Sequence, residues 1–321
     1  MERKDDNYVL INKFKNMYVS FLSPLTKYIK IDKDNIEDIE KALSEQDIQS
    51  LTRLTILDNV RGGVKELNLK VPLISFGKSL LKEYGLNGNI IISGKKIKDI
   101  SSQDLVGDRL MVEIESLLDY SEDSLSEISS LCGSLDLPII IRIGQDLEEV
   151  GKIVNKFSSS PIETLESFGF LDRKCYIYGL EYVDKDDQKL IKDYEATCIF
   201  SPQSDAKAGR GAINIYNFIY NDIKFGFSSE ICYNVDMLQE GKLALFNTSN
   251  LMYESDLIDC DILLNALLTE DDSDRLILDL SSNEVPENIF DKHIELDKYS
   301  DDYARLSKIA IEIATKIKEK I

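Results

Sequence analysis

The chain has 321 residues, 43% of them hydrophobic, enough for one large domain or two small ones with a full core. It carries 58 Asp and Glu against 38 Lys and Arg, a formal net charge of −20, which argues against the basic face that nucleic-acid binding requires. No apolar run approaches the roughly 20 residues that cross a bilayer, and Met1-Glu-Arg-Lys-Asp-Asp leads into no signal-peptide pattern. A cytoplasmic protein without nucleic-acid or membrane partners is expected, its acidity read as a solvated surface.

The five cysteines form no CxxC pair. Cys175 and Cys198 fall inside predicted strands and read as core thiols, neither metal ligands nor disulfides. The one histidine, His293, lies beyond the last predicted barrel strand and reads as a surface residue. A catalytic zinc usually takes two or three histidines, and a Ser-His-Asp mechanism needs one beside its nucleophile.

Tyr8-Val-Leu-Ile-Asn is a short apolar strand. Ile36, Ile39, Leu43, Ile48, Leu51, Leu54 and Leu57 recur at mostly helical steps, predicting a helix over 34–61 stopped by Gly62-Gly63. A second strand follows at 64–69, a helix at 76–84 capped by Gly85, and strands at 89–94 and 110–115. After a helix at 122–133, Leu137-Pro-Ile-Ile-Ile-Arg-Ile-Gly is an apolar run suited to a strand buried on both faces. Helical segments fill 146–170, and strands are expected at 174–181, 196–201 and 223–229. Eight strands separated by helices make an α/β fold, a (β/α)₈ TIM barrel, over 8–255. A C-terminal appendage, 256–321, holds a helix at 256–269, an isolated strand at 275–280 and an amphipathic helix at 301–320. There is no phosphate-binding GxxxxGK[ST] and no GxSxG elbow.

Six segments, Asp58–Lys65, Leu137–Asp146, Leu165–Asp172, Tyr178–Asp186, Ser201–Asp205 and Phe225–Leu238, together resemble the amidohydrolase superfamily, in its nucleoside and nucleobase deaminase and chlorohydrolase-like branch. Asp58-Asn-Val-Arg-Gly-Gly-Val-Lys resembles the family's helix-to-strand segment, and Leu165-Glu-Ser-Phe-Gly-Phe-Leu-Asp the stretch before its sixth strand. Tyr178–Asp186 resembles "HgvhLseeD", and Ser201-Pro-Gln-Ser-Asp resembles "cPtSN". Phe225–Glu230 followed by Val235-Asp-Met-Leu resembles "vGLGTD" followed by "LDMl". The resemblance implies a metal-dependent hydrolase type of barrel, here with a truncated terminal appendage, and a tendency to self-associate.

Carried over position by position, the resemblance puts Phe14 and Asn16 where the family has its first two histidines. Arg142 and Tyr178 stand for two further histidines, Gln145 for the proton-shuttling glutamate and Glu230 for the last aspartate. Phe14 offers no donor, Arg142 would repel a divalent cation, and Gln145 cannot exchange a proton. No metal and no other cofactor is therefore expected. No catalytic residue is assigned beyond the degenerate positions Gln145 and Glu230. A small polar ligand is expected at the barrel mouth, lined by Asn16, Arg142, Gln145, Tyr178, Glu181, Ser204, Arg210 and Glu230. The resulting expectation is a catalytically degenerate ligand-binding or partner subunit, a homo-oligomer or a hetero-oligomer with an active paralogue. The alternative is an active amidohydrolase or deaminase, cleaving a C–N bond of a purine-like or cyclic amide substrate, with a rebuilt site in which Glu230 activates water.

Overall fold

Short β-branched runs separated by capped helices produce alternating strands and helices in the computed structural model, which describes residues 2–5, 8–32, 35–100, 109–232, 235–270, 275–279 and 300–320. The chain opens with β1 (Glu2–Asp5), β2 (Tyr8–Asn12) and β3 (Phe14–Ser20), then α1 (Ile36–Ala42), α2 (Glu45–Arg61), β4 (Val64–Lys70) and α3 (Ile74–Glu83). There follow β5 (Ile90–Ser93), β6 (Leu110–Ile114), α4 (Glu122–Ser134), β7 (Ile139–Ile143), α5 (Leu147–Phe157), α6 (Pro161–Ser167) and β8 (Cys175–Gly179). Next come α7 (Lys185–Asp193), β9 (Thr197–Phe200), α8 (Pro202–Ala208), α9 (Tyr216–Tyr220) and β10 (Phe225–Phe227). The last elements are α10 (Met237–Met252), α11 (Cys260–Leu267), β11 (Arg275–Asp279) and α12 (Ser300–Lys320).

Strands β3 to β10 follow chain order in one eight-stranded parallel sheet, a nearly closed (β/α)₈ barrel with helices alternating between strands. The TIM-barrel expectation holds. The described residues form two compact units. The first takes 1–88, 228–242 and 267–321; the second takes 89–227 and 243–266.

In the first unit, one expectation changes. Residues 8–12 are not a barrel strand. They are the centre of an antiparallel three-stranded sheet, β1-β2-β11, with Ile11 opposite Leu276 and Asn12 opposite Arg275. The strand at 275–279 is therefore not isolated. The barrel's first strand is β3, whose Phe-Lys-Asn-Met-Tyr-Val-Ser hides its character because Asn16 and Ser20 are polar yet buried. The helix expected over 34–61 is two helices. Ser44 accepts from the Asp47 backbone while the Asp47 carboxylate accepts from Ser44, a capping box that starts α2 afresh. The last helix, α12, packs along α2. There the Arg61 guanidinium lies 4.0 Å over the Tyr303 ring, and Tyr303 hydrogen-bonds Asp58.

In the second unit, Ile139, Ile140, Ile141 and Ile143 of β7 are all fully buried, as a strand covered on both faces should be. Cys132, Cys175, Cys198 and Cys232 are buried and every cysteine is free, so the core-thiol reading stands. Burial pushes the Cys175 thiol up to about 12, far from reactivity. His293 lies outside the described residues. Among the described residues no helix is long and apolar enough to cross a membrane.

Candidate functional site

Strand ends supply the polar side chains of interest, as expected for a (β/α)₈ barrel. In the first unit, Phe14, Asn16 and Tyr18 of β3 are all buried, with Lys15 and Met17 between them less so. Asn16 is 1% exposed, yet its amide has a complete set of partners. Nδ2 donates to Asn59 Oδ1 and to Ser229 Oγ, both at 2.7 Å. Oδ1 accepts from the Ser229 backbone N–H at 3.1 Å. Asn59, in the last turn of α2, donates in turn to the Thr55 carbonyl at 2.8 Å. Such buried groups are tolerated because each is bonded.

That network ends one residue before Glu230. Glu230 N–H donates to Tyr18 O at 3.0 Å and Glu230 O accepts from Ser20 N–H at 2.9 Å, so Glu230 pairs with β3 as a parallel bridge opposite Val19. Its φ is +46°, the left-handed region, which costs a non-glycine residue about 1 kcal/mol. The side chain is 7% exposed.

In the second unit, Glu113, Arg142 and Tyr178 are each the next-to-last residue of their strands, β6, β7 and β8. Arg142 and Tyr178 are register partners; Glu113 is opposite Ile140, two residues before Arg142. All three therefore stand on one face of the sheet. The other face of these strands is apolar, with Val112, Ile114, Ile141, Ile143 and Ile177 fully buried. The Tyr178 hydroxyl donates to Glu113 Oε1 at 2.8 Å, reaching across β7 over a two-strand spacing of about 10 Å. Glu113 is 1% exposed.

After β8 the chain turns on Gly179, φ +97°, where a Cβ would lie 2.5 Å from Ile143 O. That turn holds Gln145 beside Gly179. Hydrogen bonds from Leu180 N–H to Ile143 O and from Tyr182 N–H to Gly144 O hold the half-buried Glu181 along the end of β7. Arg210 folds back on α8, with Nε 3.0 Å from Asp205 Oδ1 and Nη2 3.0 Å from Ser204 Oγ.

The structure thus joins Asn16 to the segment carrying Glu230 in one unit. In the other it sets Arg142 beside Tyr178, and Ser204 beside Arg210. Sequence reasoning missed Glu113, Asn59 and Ser229. Glu113 had one signal, a lone charge inside the apolar run Leu110-Met-Val-Glu-Ile.

The metal that the resemblance implies does not fit these residues. Phe14 has no donor, the Asn16 amide is committed to Asn59 and Ser229, Arg142 is a fixed cation, and the Tyr178 hydroxyl points its proton at Glu113. Among the described residues, no three of His, Cys, Asp and Glu gather as a metal-holding group.

No family model matches the chain. It is 25% identical over 238 residues, 68% of its length, to a 5-methylthioadenosine/S-adenosylhomocysteine deaminase of Clostridium tetani, covering 54% of that protein. It is 23% identical over 242 residues to a 5'-deoxyadenosine deaminase of Methanosphaera stadtmanae, covering 68% of this chain and 56% of the relative. The chain thus spans about half the length of these two curated relatives. An adenosine deaminase from Xanthomonas campestris with bound zinc superposes with a TM-score of 0.80 at 12% identity, covering 96% of this chain and 87% of that one. Guanine deaminase from C. acetobutylicum with bound guanine gives 0.69 at 14% identity, covering 95% and 83%.

The named relatives support the likeness to the amidohydrolase superfamily that the motifs implied, and the solved structures share its barrel fold. The two relatives are named as deaminases, and the chain covers just over half of each. The expectation of a catalytically degenerate binding or partner subunit is corrected by these findings. Relatives named as deaminases match two thirds of the chain, and the alternative reading, a C–N hydrolase, agrees with them better.

Proposed function

We propose that this protein hydrolyses a C–N bond of a purine-like or cyclic amide substrate, as an amidohydrolase of deaminase type with a rebuilt site. The observation that carries the reading is the match of 68% of the chain to nucleoside deaminases. The polar strand ends support it. A barrel interior kept only for packing has no use for buried charges, which are costly unless paired and are common where chemistry is done. Two buried carboxylates, Glu230 and Glu113, can act as general bases on water. No step is routed through a metal, because the donor set does not suit one. Self-association and a small polar ligand at Gln145, Glu181, Ser204 and Arg210 of the second unit remain part of the proposal.

The test is ammonia release by the full chain from 5'-methylthioadenosine, 5'-deoxyadenosine, adenosine, guanine and a cyclic amide, with and without a chelator. Release that survives chelation is expected. A chain silent on every substrate overturns the reading.

A further inference from the structure

Glu113, Arg142 and Tyr178 were brought together by the fold, and the resemblance gives Glu113 no role. Each is the penultimate residue of its strand, and the three side chains stand on one face of three adjacent strands, Arg142 level with Tyr178 and Glu113 level with Ile140, two residues earlier on the strand of Arg142. The Tyr178 phenol already donates to the Glu113 carboxylate at 2.8 Å, with the strand of Arg142 between them. A carboxylate, a phenol and a guanidinium on one face of adjacent strands are the parts of a proton-transfer site: a base, an acid and a fixed cation. Meanwhile Gln145, at the position of the usual proton-shuttling glutamate, cannot exchange a proton.

We propose that Glu113 is the acid–base residue of the rebuilt site and Tyr178 its proton-donating partner, acting on an amidine carbon such as the amino-bearing carbon of a 6-aminopurine. This rests on the hydrolase reading above. The water oxygen bonds to that carbon while Glu113 takes one water proton. The C=N electrons move to the ring nitrogen, which takes the Tyr178 proton, and Arg142 stabilises the phenolate. Glu113 then returns its proton to the amino group, and the C–N bond breaks to release ammonia. The remaining hydroxyl becomes the carbonyl, and its proton restores Tyr178. One water is consumed, one ammonia leaves, and both side chains end as they began. An amidine offers a donor to the carboxylate and an acceptor to the phenol, so the pair also recognises what it cleaves.

The experiment measures ammonia release from 5'-deoxyadenosine and 5'-methylthioadenosine by the wild-type chain and by Glu113→Gln, Glu113→Asp, Tyr178→Phe and Glu230→Gln. Circular dichroism melts check folding. The expected result is a kcat at least about 100-fold lower for Glu113→Gln with KM within about threefold. Glu113→Asp should recover part of the rate, and Tyr178→Phe should lower kcat at unchanged KM. Wild-type kcat in both Glu113→Gln and Tyr178→Phe, or a loss confined to Glu230→Gln, overturns the assignment and leaves the hydrolase reading standing. If Glu113→Gln does not fold, Tyr178→Phe decides, since it keeps the packed ring and removes only the hydroxyl. A wild-type chain that releases no ammonia from either nucleoside, nor from the wider panel, overturns the hydrolase reading and this assignment with it.

Discussion

The two units solve the same problem, polar side chains on barrel strands, in opposite ways. In the first, Asn16, Asn59 and Ser229 are neutral and bonded among themselves, so the network holds β3, α2 and the turn before Glu230 in one arrangement. In the second, Glu113, Arg142 and Tyr178 bring charge to a buried strand face. Neutral networks fix geometry at modest cost; buried charges carry a desolvation penalty that packing alone never requires. The difference separates a polar cluster kept for structure from one kept for chemistry.

Four changes break or sharpen that comparison. The largest effect is expected from Glu113→Gln, with kcat falling about 10²- to 10⁴-fold and the melting temperature moving little, read from ammonia release beside a thermal melt. Asn16→Leu should do the reverse. It leaves the Asn59 Oδ1, the Ser229 hydroxyl and the Ser229 N–H without a partner, a loss of about 3–5 kcal/mol visible as a lower urea midpoint.

The third concerns Asp58, which neighbours Asn59 on α2 but meets Tyr303 and Arg61 instead. Burial raises its carboxyl to about 7. The folded state therefore holds the proton more tightly than the unfolded chain, whose aspartate titrates near pH 4. This contribution to stability is complete below about pH 4 and declines as the pH rises to about 7, by on the order of 4 kcal/mol at most. Urea midpoints of Asp58→Asn should lack that slope; an identical slope would remove Asp58 as its source. The smallest effect belongs to an exposed site far from both clusters. Ser44→Ala removes the cap of α2 and should cost about 1 kcal/mol, with activity unchanged.

Local patterns made most of the barrel legible. The run Ile139-Ile-Ile-Arg-Ile became β7, and the motif from Ser201 to Asp205 became the N-cap and first turn of α8, directly after β9. The first strand was misread because Tyr8–Ile11 is an apolar run while β3 buries the polar Asn16 and Ser20. A polar residue satisfied by partners 43 and 213 positions away leaves no mark on its own neighbourhood. For the same reason the substituted positions Phe14, Asn16, Arg142, Gln145, Tyr178 and Glu230 could be read off one by one, but not what they now contact.

The sequence alone determined the alternation of strands and helices, the (β/α)₈ class and the loss of a histidine-based ligand set. All of these depend on local period and residue type. Only the tertiary structure decided that Asn16 is locked by Asn59 and Ser229, and that Tyr178 crosses β7 to reach Glu113. Those pairings depend on strand register and on side chains far apart in the chain, and neither is written in any local run of residues.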